Sequence, residues 1–456
     1  MIRRGTNRHP KHDERGVTMI LVVLAMLSML GIVALAIDVI TLYSARSETQ
    51  RAADSAALVA AKMLVDAGVT GDPGNAALQT TAQTIATTAA KDVARQSVIA
   101  GRPIQAADVT VTFPNGANTA QFSINPQVRV TVQNANLPTF FSRIWSRAAL
   151  TVRATASAEG FNPSNATTIT GGATAPVIAR CVKPFIVPNC DPIHAGGGCG
   201  GAGATFFNTA TGTITNPGAA PGGIIGEQFQ MVSNCGPGPG PGCAAQPPTV
   251  GPGGGGSRLY YYPAQIPAAT NSCPAACGGG TNFENDTSCC NPTPISCGTA
   301  PPAAPGVNQL TIDGTVYPEG GGGPAQNGVE CLIHQRPGNG MDNLTLPISY
   351  PMQIEVGNNH PLAGTVLSAN DPVTTSDSLV IVPVYDDTTG GGAAPAGPVN
   401  IIGFLQVFVN QAFPGGGGPK AGEFRVTVVN VIGCGATATA APVSASSAIP
   451  VRLIHQ

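Results

Sequence analysis

Charge is what this chain has least of. Asp, Glu, Lys and Arg together make up 10% of its 456 residues, against ~25% in an ordinary soluble domain, and the formal net charge is -2. Apart from Arg3, Arg4, Arg8, Lys11 and Arg15 at the N-terminus, no basic cluster exists. That excludes a nucleic-acid footprint and any strongly steered anionic partner. Catalytic signatures are missing as well: there is no G-x-S-x-G elbow and no H-E-x-x-H helix. Gly196, Gly198 and Gly201 fit a dinucleotide fingerprint only because they lie in a glycine run, with no strand before and no helix after. Lys420 follows Gly415 to Gly418 but sits between Pro419 and Ala421, which breaks the phosphate-loop pattern on both sides. His194, His334, His360 and His455 stand apart from one another, with no acid in a recognisable motif beside them. The sequence therefore offers no catalytic residue, no cofactor and no small-molecule substrate. An exported hydrolase would need His and acid side chains to converge in space.

Material for regular elements is also limited. Gly (58) and Pro (41) take more than a fifth of the chain, and between Cys235 and Gly256 they fill 15 of 22 positions, which rules out helix or ladder there. Residues 161–306 read as a Gly/Pro/Cys-rich loop region. Short apolar islands, CVKPFIVPNC (Cys181 to Cys190) and LYYYPAQIP (Leu259 to Pro267), interrupt it and are expected to pack onto a neighbouring domain.

Against this stands one long apolar run. Val17 to Ile37 is 21 residues without a charge, and at ~1.5 Å per residue it spans the roughly 30 Å of a bilayer's hydrocarbon core. All five leader cations precede it, and Asp38 follows it. The positive-inside rule then predicts a cytoplasmic leader (1–16), a transmembrane helix (17–37) and an exported remainder. Ala34-Leu35-Ala36 also fits a signal-peptidase site, and cleavage after Ala36 would release a secreted binding protein or adhesin. The run is longer than the roughly 7–15 apolar residues of a signal peptide, which favours a retained anchor.

All 12 cysteines follow the anchor: Cys181, Cys190, Cys199, Cys235, Cys243, Cys273, Cys277, Cys289, Cys290, Cys297, Cys331 and Cys434. An even number on the exported side predicts disulfides in an oxidising compartment, with the connectivity open. Zinc is the alternative, but C-x2-C pairs are absent and His194 is the only histidine among the clustered cysteines.

Helix formers continue from Ser44 to Gly68, so the membrane helix is predicted to run on as a stalk. Within it Ala52, Ala56 and Ala60, and likewise Ala53, Ala57 and Ala61, recur every fourth residue. Such rows permit close backbone approach, either to the helix's own domain or to a partner helix along a seam. Asp72-Pro73 reads as the start of a second helix reaching from about Asn75 to Ala100. Three alternating strands follow, DVTVTF, QVRVTVQ and LTVRATA, with LPTFFSRIW (Leu137 to Trp145) as a short covering helix. Residues 38–160 thus form a helical stalk plus a three-stranded α+β module. A mainly β domain is expected over 307–435, from LTIDGTVY, LVIVPVY, NIIGFLQVFV and FRVTVVNVIG, with a loose tail over 436–456. The fold class is α+β.

The segment RGVTMILVVLAMLSMLGIVALAIDVITLYSARSETQRAADSAALVAA, Arg15 to Ala61, resembles the start of the TadG-like pilus-assembly proteins. The Ile37-Asp38-Val39 step and the Gln50 to Leu58 stretch QRAADSAAL carry the likeness. LPTFFSRIW with the strand from Thr151 to Ala158 resembles the end of that family's N-terminal module, and LVIVPVYDD and IIGFLQVFVN resemble distal parts of longer members. The resemblance implies a bacterial inner-membrane protein with a periplasmic body, whose partners are the bilayer and other tight-adherence (Flp) pilus-assembly or pilin-like proteins. Some relatives carry a von Willebrand A domain with a D-x-S-x-S metal site; that motif is absent here. Related pilin-like proteins are cut after a glycine with a glutamate at the fifth mature position; Gly16 is present, but that position is Leu21. The reading is a non-enzymatic, membrane-anchored structural component acting through protein contacts.

Overall fold

The computed structural model describes residues 15–116, 125–137, 150–164, 176–194, 204–233, 257–267, 280–298, 308–317, 323–335, 340–345, 352–386, 398–413, 422–435, 443–445 and 449–454, apart from Pro73, Val366 and Thr374, with Phe122, Cys235 and Gly338 as isolated additions.

Helix α1 (Arg15–Asp66) is continuous over 52 residues. Nothing in it interrupts the i→i−4 ladder: it has no proline, and of its two glycines Gly16 lies in the first turn and Gly31 in the apolar run. It stops where Gly68, with φ 85°, takes the left-handed conformation that terminates a helix at no steric cost. The Gly68 amide closes the end on Val65 O at 3.0 Å.

Helix α2 (Ala76–Arg95) starts at an N-cap, Asn75, whose side chain accepts from Leu78 N at 2.9 Å. The expected cap at Asp72 is not used as one; its carboxylate instead receives the Asn75 side-chain amide at 3.1 Å. The helix is also shorter than its composition suggested. Val98–Ile99 leaves it to pair with Arg102–Pro103. Ala100 and Gly101 (φ 48° and 78°) form the two-residue turn between them, of the kind that suits strand twist. Glu48 of α1 holds that turn by accepting from Ala100 N at 2.8 Å.

The three predicted strands are present as β1 (Val109–Thr112), β2 (Gln127–Leu137) and β3 (Leu150–Gly160), paired antiparallel in that order. Val128, Val130, Val132, Val152, Ala154 and Ala156 form the buried face that packs against α1, while α2 reaches the sheet at β1 and Thr131 and Thr155 meet across the outer face. The helix expected for LPTFFSRIW lies beyond Leu137, outside the described residues. The sheet is larger than expected: residues 451–454 do not trail as a loose tail but return as a fourth strand on the free edge of β3, Val451 opposite Gly160. Val451 and Leu453 add apolar surface to the same core, and an edge that would otherwise present unpaired N–H and C=O groups is covered.

The larger body is a ring of strands. In chain order these are β4 (Phe185–Pro188), β5 (Gln228–Ser233), β6 (Arg258–Gln265), β7 (Gln309–Ile312), β8 (Leu379–Tyr385), β9 (Val399–Ala412), β10 (Phe424–Gly433) and, in the first sheet, β11 (Val451–Ile454). Pairing runs β9-β8-β4-β6-β5-β10, and β10 pairs again with β9, so the circuit closes; β7 bridges β9 and β6. Strands in a closed ring bury one face inside, and here the outer faces are covered too, which explains the uninterrupted apolar runs in β8 to β10. The interior is filled by aromatics: Phe185 lies 4.9 Å, centroid to centroid, from both Tyr261 and Phe424.

Residues 161–306 therefore depart from the loop reading. The apolar islands supply β4 and β6, and the stretch between them supplies β5, together half of the ring; the helix Asn282–Ser288 was not foreseen either. Phe207 shows how tightly the connecting segments pack: Gly403 and Gly433 pair directly between β9 and β10, and a Cβ on either would strike its ring. Helix Pro324–Leu332, within the C-terminal β region, was also not anticipated.

The two units are joined by buried polar contacts. Thr70 donates to Asn430 Oδ1 (3.3 Å), Asn430 donates to Gln406 Oε1 (2.8 Å), and Ser164 Oγ accepts from Gly433 N (2.6 Å). Beside this joint, Met63, Ile85, Leu344, Met352, Val373 and Leu379 line a largely apolar cleft of about 380 Å³.

Candidate functional site

The part of α1 from Val17 to Ile37 has almost no protein around it. Leu24, Leu27, Leu30 and Ile32 are 59–69% exposed, although burying one such side chain stabilises by about 1.5–3 kcal/mol. An apolar helix this long and this bare is long and apolar enough, by length and composition, to cross a membrane. Burial begins at Asp38 and Ala45 and becomes regular from Thr49 onward. The same helix thus changes its surroundings along its length, from none to a packed module.

The six alanines singled out in the sequence all lie on the packed part. Ala53, Ala56, Ala57, Ala60 and Ala61 are fully buried and Ala52 nearly so. They belong to one cluster with Ala82, Ala86, Ala90 and Ala94 of α2 and the valines of β2. The close approach they permit is made within the chain, helix α2 presenting a reciprocal row at the same four-residue spacing. That row is plain in the sequence once the helix is known. Leucine at position 57 adds three carbons where there is no space, so Ala57→Leu is expected to destabilise the module by about 1–3 kcal/mol. Thermal unfolding of the detergent-solubilised chain checks this; unchanged stability with weakened partner crosslinking would instead put the alanines at an intermolecular seam.

Cysteines are bonded wherever they are described. Cys181 pairs with Cys290 and Cys297 with Cys434. Cys190, Cys235, Cys289 and Cys331 are also disulfide-bonded, and no described cysteine is free. Cys199, Cys243, Cys273 and Cys277 lie outside the described residues. Each of the two pairs ties together segments more than 100 residues apart, with separations of 109 and 137.

The histidines are less isolated than their spacing suggested. His334 Nε2 lies 2.9 Å from Asp377 Oδ2; that hydrogen bond raises the histidine and lowers the aspartate from their ordinary pKa values, partly opposed by burial. His360 Nε2 is 3.9 Å from Asp342 Oδ2. His455 lies outside the described residues. The buried Lys183 ammonium donates to Cys289 O at 2.8 Å and is pushed down to about 8 by burial, partly opposed by the charges of Asp377 and Asp286.

The tightest group joins Asp191, His194 and Glu227. His194 Nδ1 lies 2.8 Å from Asp191 Oδ2 and 3.0 Å from Glu227 Oε1. Of the two, only the Asp191 oxygen is in hydrogen-bond geometry with the ring nitrogen. Burial, then the charge of Asp191 and a shared hydrogen bond with it, push Glu227 up to about 10, so it holds a proton at neutral pH. The Asp191-x-x-His194 step was readable, but nothing marked Glu227, 33 positions further on, as its neighbour.

Residues 16–63 match the family model described as "Putative Flp pilus-assembly TadE/G-like", a stretch that coincides with the exposed and packed parts of α1 together. The chain carries a TadE/G-like N-terminal segment. No curated protein and no solved structure matches it. The TadE/G-like match supports a role in Flp, or tight-adherence, pilus assembly; the ring of strands lies outside the matched residues.

Proposed function

We propose that this chain is a non-enzymatic, single-pass component of a tight-adherence pilus or secretion assembly. It is held in the bacterial inner membrane by Val17 to Ile37, with its N-terminus cytoplasmic and its body periplasmic. The observation that carries this reading is the coincidence of two independent features on one helix: the TadE/G-like match over 16–63 and a bare apolar length sufficient to span lipid. The five leader cations support the orientation, and the disulfides support an oxidising compartment. Helix α1 continues unbroken through Ala36, which favours the retained anchor over release by cleavage there.

Because the six alanines are filled from within, partner contacts belong on the exposed face of the span and the stretch just outside it. A photoreactive residue at Ile32 or Tyr43, 69% and 79% exposed, is expected to yield adducts with other membrane or pilus proteins, and one at Ala57 none. Adducts from position 57 alone would return the contact to the alanine rows. Adducts from none of the three would overturn assembly through this helix.

A further inference from the structure

Asp191 and His194 lie on the loop that leaves β4, and Glu227 immediately precedes β5, so two neighbours of β6 in the ring bring the three together. One ligand atom from each, an Asp191 oxygen, an imidazole nitrogen and a Glu227 oxygen, lie within 4.8 Å of one another. Asp191 and Glu227 are 0% and 3% exposed, and among the described residues no N–H or hydroxyl donates to either Glu227 oxygen in acceptable geometry. Such a buried carboxyl either keeps a proton, as Glu227 does without a metal, or gives that proton up to a cation that takes its place. No Lys or Arg ion pair reaches either acid among the described residues; the ion pairs in which they take part are with His194.

The surroundings are built to hold this arrangement. Asp191 Oδ1 accepts the amides of Ile193 and His194 at 2.9 and 3.2 Å, leaving Oδ2 to face the other two. Asp191 N donates to Ala204 O at 2.8 Å. Asn189 pins the loop from both ends of its amide, donating to Phe207 O at 2.7 Å and accepting from Phe206 N and Phe207 N at 3.1 and 3.3 Å. Glu227 O is fixed by Val428 N at 2.9 Å. Outer contacts of this kind orient ligands in established metal sites. The His194 side chain keeps partial contact with solvent (24%), which leaves an approach for an ion and for a completing water.

We propose that Asp191, His194 and Glu227 bind one divalent transition cation, with Zn²⁺ the best match. Binding displaces the Glu227 proton and needs the imidazole lone pair turned to the ion; the two carboxylates and neutral imidazole then cancel its charge and supply one nitrogen and two oxygens, which together with a water complete a four-coordinate shell. Ca²⁺ and Mg²⁺ fit less well, since they take six or more oxygen ligands or keep most of their waters. The role is to fasten the β4 and β5 ends of the ring, independently of the membrane segment and of the assembly role proposed above.

The test is a ZnCl₂ titration of the full-length, oxidised chain in detergent micelles, against Glu227→Gln and against CaCl₂. One zinc per chain is expected, with affinity at least ~10–100-fold weaker in the variant and no saturable Ca²⁺ binding. Equal zinc binding by wild type and Glu227→Gln, or none by wild type, would show a hydrogen-bonded triad only and overturn the site. X-ray absorption of the zinc-loaded wild type needs no variant: a shell of oxygen with one imidazole is expected, and a sulfur shell, or one without imidazole, overturns it. Membrane retention and partner crosslinking, read on the same samples, report on the assembly role separately.

Discussion

Full-length protein carrying both Leu24→Arg and Leu27→Arg should be lost from the alkali-resistant membrane fraction, while the wild type stays in it. Both leucines sit near the middle of the 21-residue apolar run and are about 60% exposed, with no protein group to receive a charge. Replacing leucine by arginine at the centre of a span costs about 3–4 kcal/mol per site on insertion scales, so the pair costs roughly 6–8. An equilibrium shifted by that amount moves by at least about four orders of magnitude. Mass spectrometry of the wild-type N-terminus belongs in the same experiment. A chain beginning after Ala36 and free of lipid would establish release, and a double variant that remains fully integral would mean that this helix is not the anchor.

The second large effect is expected from the Cys297–Cys434 disulfide. It closes a loop of 137 residues, joining the end of β10 to the segment that follows the short strand Ile295–Ser296. Removing a crosslink of this kind costs about 2–5 kcal/mol, mostly by freeing the unfolded chain. Both sulfurs are buried, so alanine is the better replacement, because serine would add a buried hydroxyl. Cys297→Ala/Cys434→Ala should lower the denaturation midpoint of the ring while the first sheet keeps its own. An unchanged midpoint, or a non-reducing digest linking Cys297 elsewhere, would overturn the pairing.

What could be read without coordinates follows from how local each signal is. Helix α1 is written as an unbroken composition of helix formers, and strands β1 to β3 and β8 to β10 as alternation or continuous apolar runs, so both were legible. Strands β4 and β6 were seen only as apolar islands, and β5 not at all, because glycine and proline surround them; all three become strands through pairing with β8, β10 and one another, which is long-range information. The end of α2 was misjudged because Val98 and Ile99 are tolerated in a helix and are drawn out of it by a hairpin held on Glu48. The partner of the Asp191-x-x-His194 step could not be seen for the same reason: Glu227 joins it only when the ring closes.

The seat of β11 makes the first sheet depend on sequence made long after its other strands. A ribosome delivers α1 first, but β3 stays open along one side until Val451 to Ile454 have been synthesised. The intervening ring must therefore be made between two parts of a unit still unfinished. A molecule that lacks these residues would carry an adhesive border, which gives quality control a simple criterion for recognising it.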